Sequence, residues 1–184
     1  MLDTIKQQLP AYAKDLKLNL SSLMREEVLS PVRRYGALLA AALASGNTTL
    51  IKAVTEEAEG FLSASELENV RAANAMMAMT NIYYRFLHMA KDAEYSRMAA
   101  GLRMQVIGKP PADKTDFELY SLVVSSVNGC EFCVAAHDAE LKKAGLSHAE
   151  IQASIRIAAT VHAVASVLAS EGALKTSQEI GVAA

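Results

Sequence analysis

Helix-breaking residues are scarce in this 184-residue chain, which contains nine glycines and four prolines beside 33 alanines. Alanine loses no side-chain entropy in a helix, whereas glycine and proline carry the largest helix penalties. With 52% hydrophobic and 21% charged residues, the chain can bury a sizeable core. The composition predicts a single all-α domain over residues 1–184. It excludes a β-sandwich, a disordered chain and a disulfide-stapled miniprotein.

Capping signals divide the chain into helices. Ser30 followed by Pro31 is typical of a helix start, because the serine caps the helix and the missing proline N–H costs nothing there. Ser63, Thr115 and Ser147 are each followed three residues later by glutamate, the pattern of a reciprocal capping box. Together with the glycines between periodic segments, these signals predict helices over residues 2–8, 11–24, 31–45, 48–60, 64–90, 94–107, 115–128, 130–144 and 148–171.

Asn81 and Asn128 occupy similar positions in the helical pattern. Each follows a helix of small and apolar residues and precedes a segment rich in aromatic or sulfur-containing side chains. This similarity between the two segments is consistent with a bundle built from a duplicated helical unit, of which the second copy kept the cysteines. One shared residue type is a weak signal for duplication.

Charge and hydropathy exclude several kinds of partner. The formal net charge is −2, and the longest basic runs, Arg33-Arg34 and Lys142-Lys143, are too short to neutralise a nucleic-acid backbone. The first ten residues lack the cationic and apolar regions of a secretion signal, so we expect a cytoplasmic protein. The most apolar segment, 157–169, is shorter than a membrane span of about 20 residues. We therefore expect it to be a buried helix and expect no membrane association.

The two cysteines carry the clearest chemical signal. Cys130, Cys133 and His137 are spaced i, i+3 and i+7, which puts them on one face of a helix. Gly129 ends the preceding helix and places Cys130 in the first turn of the next, where the helix dipole favours the thiolate. Two sulfurs one turn apart can cycle between dithiol and disulfide. His137 is placed to hold or move a proton near Cys133.

Alternative functions exist for the same residues. Cys130, Cys133 and His137 could supply three zinc ligands, with Glu118 or a second subunit as the fourth, although closed zinc sites usually contain a second ligand pair. Glu118 lies on the preceding helix, and a turn at Gly129 could bring its carboxylate toward His137. From local sequence alone, however, Glu118 fits better as the third helical residue of the Thr115 capping box.

The other histidines, methionines and aromatic residues have structural interpretations. Three histidines are assigned to structural positions: His88, His148 and His162. Three methionines are interpreted as core filling or helix contacts rather than metal ligands: Met76, Met77 and Met79. Three aromatic residues are interpreted as a subunit interface: Tyr83, Tyr84 and Phe86.

The pattern Glu118, eleven residues, Cys130-x-x-Cys133, three residues, His137 resembles the alkyl hydroperoxide reductase D (AhpD) family of the carboxymuconolactone decarboxylase-like superfamily. The segments LPAYAKDLKLNLSSL, NIYYR, GLRM and FELYSLVVSSVNGC also resemble family blocks, so the resemblance covers most of the chain. It implies an all-helical homo-oligomer, a trimer in the family's best-known members. It also implies an antioxidant enzyme with lipoyl-dependent peroxidase and disulfide reductase activity.

The resemblance also implies roles for single residues. Cys133 would be the peroxidatic thiol that becomes a sulfenic acid. Cys130 would be its proton donor and resolving thiol, and would form the mixed disulfide with the peroxiredoxin AhpC. Glu118 and His137 would form the proton relay. No cofactor would be bound, and electrons would come from dihydrolipoamide on a lipoylated dehydrogenase subunit, recharged by dihydrolipoamide dehydrogenase and NADH.

One residue departs from the family pattern. Some relatives have a histidine immediately before the second cysteine, where this chain has Phe132, and a phenyl ring cannot pass a proton. We therefore expect weaker direct peroxidase turnover than disulfide reductase activity.

Two other interpretations of the chain are kept: a decarboxylase of a lactone acid, which needs no Cys-x-x-Cys, and a non-catalytic helical protein with a zinc-bound or inert cysteine pair.

Overall fold

The computed structural model describes the backbone of residues 2–182 and the side chains of residues 2–175. This part of the chain is helical and contains no strand, which confirms the predicted all-α class. The helices are α1 (Leu2–Gln8), α2 (Lys14–Leu23), α3 (Pro31–Ser45), α4 (Thr48–Ala58), α5 (Ala64–Ala90), α6 (Ala93–Arg97), α7 (Gln105–Gly108), α8 (Lys114–Asn128), α9 (Glu131–Lys143) and α10 (His148–Val182), with a 3₁₀ turn at Ala11–Ala13.

Helix α3 lies at the centre of the bundle and packs against α4, α5, α8 and α10. Its residues 37–42 are all buried, and four of these six are alanines. Small side chains let the neighbouring helices approach closely. One close approach is at Gly36, where a Cβ atom would lie 2.2 Å from Cζ of Tyr120 on α8. The alanine content therefore contributes to close packing as well as to helix propensity.

Two of the three predicted capping boxes are confirmed. Ser63 with Glu66 and Ser147 with Glu150 each make the reciprocal side chain-to-backbone hydrogen bonds. The box predicted at Thr115 is wrong, because α8 begins one residue earlier. Asp113 is its N-cap and accepts a hydrogen bond from the backbone N–H of Asp116 at 2.9 Å. Glu118 is therefore not a capping residue.

The single helix predicted over 94–107 is also wrong. The segment forms α6 and α7, with an irregular stretch between them. Met98 is extended, and Gly101 has a positive φ of 65°, which glycine adopts without steric cost. Most side chains of this stretch are exposed, so little packing favours a continuous helix here.

Helix α10 is longer than predicted, because Gly172 does not end it. In the described part of the chain, it is the one helix long and apolar enough to cross a membrane by length and composition. The shortness of its most apolar segment therefore does not exclude a span. Packing explains its composition instead: Ile157, Val161 and Val164 are buried, and α10 lies along α3 and α8.

Candidate active site

The turn between α8 and α9 positions the first cysteine. Gly129 adopts a left-handed conformation with a φ of 68°, which ends α8 at Asn128. The backbone N–H of Cys130 then donates to the carbonyl oxygen of Ser125 at 3.1 Å. Cys130 is the N-cap of α9 and lies just before the first turn in which we had predicted it. Cys130 is fully buried.

Helix α5 holds this turn from the opposite side. The guanidinium of Arg85 donates to the carbonyl oxygen of Asn128 at 2.6 Å. The Asn128 side chain donates to Oδ1 of the fully buried Asn81 at 2.9 Å, and Asn81 in turn donates to Oγ of Ser125 at 2.9 Å. Neither Asn81 nor Arg85 has a predicted role in the site, although both lie in the segment NIYYR.

The two cysteines form a disulfide. The backbone N–H of Cys133 donates to Sγ of Cys130 at 3.3 Å, so the Cys130 sulfur occupies the position of a helix-capping acceptor. In the reduced protein, the N-terminal N–H groups of α9 would favour a thiolate at this position. The structure thus supports the predicted pairing of the two sulfurs at a helix start.

Glu118 and His137 form a buried pair across α8 and α9. Oε2 of Glu118 lies 2.5 Å from Nδ1 of His137, and Oε1 forms an ion pair with the ammonium of Lys114. Burial raises the pKa of the Glu118 carboxyl, but the hydrogen bonds from His137 and Lys114 outweigh burial and hold it below its usual value. The carboxylate is therefore ionised at neutral pH, and Lys114, about half exposed, connects it to solvent.

The second ring nitrogen of His137 faces a methionine. Nε2 lies 3.2 Å from Sδ of Met77 on α5, and Met77 is buried. Both ring nitrogens thus have partners, and among the described residues neither bonds directly to a cysteine sulfur. The interpretation of Met77 as core filling or a helix contact did not include this contact with His137. The helical periodicity of the sequence carries no signal for this contact, which joins α5 to α9.

The side chain between the two cysteines lies at the surface. Phe132 is about half exposed, and its ring stacks on Tyr84 with 5.3 Å between the centroids. A cavity of about 560 Å³ lies beside this pair, lined in part by Leu87 and His88. Nε2 of His88 lies 3.3 Å from a carboxylate oxygen of Glu131, the first residue of α9. His88, assigned above to a structural position, therefore lies at the rim of the site.

A second cavity, of about 550 Å³, reaches the first cysteine. It lies among α8, α9 and α10, and Cys130 is part of its lining. The other lining side chains are mostly apolar and include Leu122, Val134, Ile151 and Ile155. A small molecule with an alkyl chain could bind here close to Cys130, which itself has no exposed surface.

The zinc alternative has little structural support. The described residues hold no group of three or more histidine, cysteine, aspartate or glutamate side chains arranged to bind a metal ion. Both sulfurs are joined in the disulfide, and His137 is bonded to Glu118 and Met77.

Fold and site together define an all-α protein with a Cys-x-x-Cys disulfide at a helix start, beside a buried glutamate–histidine pair. The model of the carboxymuconolactone decarboxylase family matches residues 93–176, which include all four of these side chains.

Curated relatives match nearly the whole chain. A protein of Maricaulis maris (strain MCS10) named alkyl hydroperoxide reductase AhpD is 51% identical over 92% of this chain and 98% of its own. Proteins of the same name from Hyphomonas neptunium (49% identical; 94% and 96% covered) and Coxiella burnetii strain Dugway 5J108-111 (50%; 91% and 96%) are equally similar. The chain belongs to the alkyl hydroperoxide reductase AhpD family, which confirms the predicted family.

Proposed function

We propose that this protein is an antioxidant enzyme that reduces alkyl hydroperoxides, and the disulfide of a partner peroxiredoxin, with its Cys130–Cys133 pair. The observation that carries the proposal is the disulfide at the start of α9. The buried Glu118–His137 pair lies on the same two helices. The name of the relatives, alkyl hydroperoxide reductase, supplies the substrate class.

The oxidative half-reaction uses one hydroperoxide molecule. The Cys133 thiolate attacks the O–O bond, becomes a sulfenic acid and releases an alcohol whose oxygen takes a proton. The Cys130 thiolate then attacks the Cys133 sulfur, forms the disulfide and expels hydroxide, which leaves as water after protonation. The hydroperoxide gains two electrons, and the two thiols lose two.

The reductive half-reaction uses an external dithiol, for which we propose dihydrolipoamide. One of its thiolates attacks Cys130, breaks the Cys130–Cys133 bond and releases the Cys133 thiolate. Its second thiol then displaces the Cys130 thiolate and forms lipoamide. The apolar cavity beside Cys130 suits the alkyl chain of such a donor. A lipoylated dehydrogenase subunit, dihydrolipoamide dehydrogenase and NADH would regenerate the dithiol.

The reduced pair could also act on a protein disulfide. In this branch, the Cys130 thiolate attacks the disulfide of the oxidised peroxiredoxin AhpC and releases one of its thiolates. Cys133 then attacks Cys130 in the mixed disulfide, which reforms the Cys130–Cys133 bond and releases the second AhpC thiolate. Phe132 cannot move a proton, so we propose that this reductase branch is faster than direct peroxide turnover.

Glu118 and His137 supply and remove the protons that these steps require. The ionised Glu118 carboxylate is hydrogen-bonded to Nδ1 of His137, and the Lys114 ammonium lies on the solvent side of the carboxylate. A water molecule would complete the path from this pair to the sulfurs. We further propose that the enzyme acts in the cytoplasm.

Peroxide consumption driven by dihydrolipoamide tests the proposal. The wild type should consume hydroperoxide and lose two thiols together on oxidation, whereas Cys133→Ser should be inactive and Cys130→Ser should stop after one turnover. A Ser170→Ala variant, changed at an exposed position of α10 and retaining both cysteines, is the control. Full activity in Cys133→Ser, or stoichiometric zinc in the purified protein, contradicts the proposal.

The matching family model favours a second candidate, decarboxylation of a lactone acid. Carbon dioxide release from such a substrate, unchanged in Cys133→Ser, would support this candidate and not the redox cycle.

A further inference from the structure

The cavity beside Cys130 combines an apolar lining with two carboxylates. Its larger apolar side chains come from α8, α9 and α10: Leu122, Val134, Ile151 and Ile155. The carboxylates are those of Glu131 and Asp138, both on α9. In the described part of the chain, no lysine, arginine or histidine lines this cavity. The cavity therefore offers apolar contacts to an alkyl chain and presents only negative charge to the polar end of that chain.

The two carboxylates lie on one face of α9. Glu131 and Asp138 are seven positions apart, two helical turns, and Val134 and Ala135 lie between them on the same face. With a rise of about 1.5 Å per residue, the two positions are about 10 Å apart along the helix axis. A chain that starts at Cys130 and follows this face passes Glu131 and extends toward Asp138.

Neighbouring cations offset these two charges only in part. Nε2 of His88 lies 3.3 Å from Glu131 and carries a positive charge only when it is protonated. The ammonium of Lys142 donates to Asp138 at 2.7 Å. Both cations lie outside the lining of the cavity. The side chain of Glu131 is largely exposed and that of Asp138 about one-third exposed, so salt in the solvent screens both carboxylates.

We propose that Glu131 and Asp138 make this cavity selective for uncharged alkyl chains, so that a chain ending in an amide binds more tightly than one ending in a carboxylate. An anion placed beside two carboxylates is repelled. A neutral amide is not repelled, and its N–H groups can donate hydrogen bonds to the carboxylates. The reductant of the Cys130–Cys133 disulfide would then be a dithiol whose chain ends in an amide; this last step rests on the function proposed above.

Binding of octanamide and of octanoate to the oxidised protein tests this selectivity without a redox step. NMR of the protein with labelled isoleucine methyl groups follows Ile151 and Ile155, whose signals are identified by their loss in the valine variants. Octanamide should shift both signals and should bind about threefold to tenfold more tightly than octanoate at low salt. This difference should shrink as salt is added, because the carboxylates are screened.

Uncharged variants assign the selectivity to the two residues. Glu131→Gln and Asp138→Asn should each raise the affinity for octanoate and leave that for octanamide nearly unchanged. Glu140→Gln removes the same charge from α9 outside the cavity and should keep the wild-type preference. Three results would each overturn the proposal: no shift of the isoleucine signals with octanamide, equal affinities in the wild type, or an unchanged preference in the double variant of Glu131 and Asp138.

Reduction of the disulfide by dihydrolipoamide and by dihydrolipoate keeps this proposal distinct from the proposed function. Dihydrolipoamide should give the larger kcat/KM, and the double variant should raise kcat/KM for dihydrolipoate alone. If neither dithiol reduces the disulfide, the proposed reductive half-reaction fails, while the octanamide titration still decides the selectivity of the cavity.

Discussion

Arg85 on α5 donates a hydrogen bond to the carbonyl oxygen of Asn128, the last residue of α8, at 2.6 Å. The carbonyl groups at a helix C-terminus lack partners within the helix, so a guanidinium there stabilises both the helix end and the turn that follows. That turn leads directly into Cys130. The position of the first cysteine therefore depends on a helix more than forty positions earlier in the chain.

Replacing Arg85 should loosen this turn. We expect Arg85→Leu to lower the free energy of unfolding by about 1.5–3 kcal/mol, the range for hydrogen bonds to charged groups. Disulfide reduction by a dithiol should also slow, because Cys130 is no longer held in one place. Urea unfolding and stopped-flow thiol release measure the two effects. Arg97→Leu, which removes an exposed ion pair with Glu94, should change neither.

Because of Glu118, the free energy of unfolding should depend on pH in the acidic range. Its folded pKa is lowered below 4.5 by His137 and Lys114, so its contribution is present above that value and is lost as pH falls through the folded pKa. The wild type should lose stability in this acidic window, and Glu118→Gln should have a flatter profile. Urea unfolding from about pH 7 to about pH 3 measures this dependence.

A surface glutamate provides the control for this experiment. Glu140 is more than half exposed and lies 3.7 Å from Lys143, so Glu140→Gln should keep the wild-type profile. An acid profile in Glu118→Gln as steep as that of the wild type would contradict the assigned role of the pair. Glu118→Gln should also slow peroxide reduction, since the neutral amide replaces the charged hydrogen-bond acceptor of His137.

The contrast between Asp113 and Thr115 shows where local sequence patterns fail. Both are good helix caps, and Thr115 also has a glutamate three residues later, so local chemistry favours it. Packing reverses this preference, because Glu118 makes its contacts with Lys114 one turn earlier and with His137 on α9. A helix start decided by tertiary contacts cannot be identified from capping residues alone.

The residues of the candidate site likewise differ in whether local sequence predicts them. Cys130, Cys133 and His137 were predictable because their relationship is local and follows from one helical period. Arg85 and Met77 were not, since they contribute through the packing of α5 against α8 and α9. The spacing of a methionine along a helix is the same whether its sulfur contacts a leucine or an imidazole. Periodicity therefore places such a residue in the core without identifying its partner.

Gly36 is predicted to be the least replaceable glycine in the bundle. A methyl group there would meet Cζ of Tyr120 at 2.2 Å, and the buried ring has little room to move. We expect Gly36→Ala to lower the free energy of unfolding by about 1–3 kcal/mol or more. Gly172→Ala, on α10 with no atom of the described residues within 4 Å of the new methyl, should be neutral or slightly stabilising. Thermal unfolding of the two variants measures the difference.

The end of α5 carries an exposed apolar surface, formed by Ile82, Phe86 and Met89. Phe86 also packs edge-to-face on Tyr95 of α6 with 5.1 Å between the centroids, which extends the surface. Exposed apolar side chains clustered in this way are typical of subunit interfaces, so we propose that this surface joins the subunits of a homotrimer.

Polar substitution on this surface should dissociate the assembly. We expect the double change Phe86→Ser and Met89→Ser to convert a trimer to a monomer in sedimentation velocity, because each subunit then loses apolar area at the centre of the contact. The helical circular dichroism spectrum should not change, since both side chains are largely exposed. Leu18→Ser, an equally exposed leucine on α2, should leave the trimer intact. A double variant that sediments as the wild type does would place the interface elsewhere.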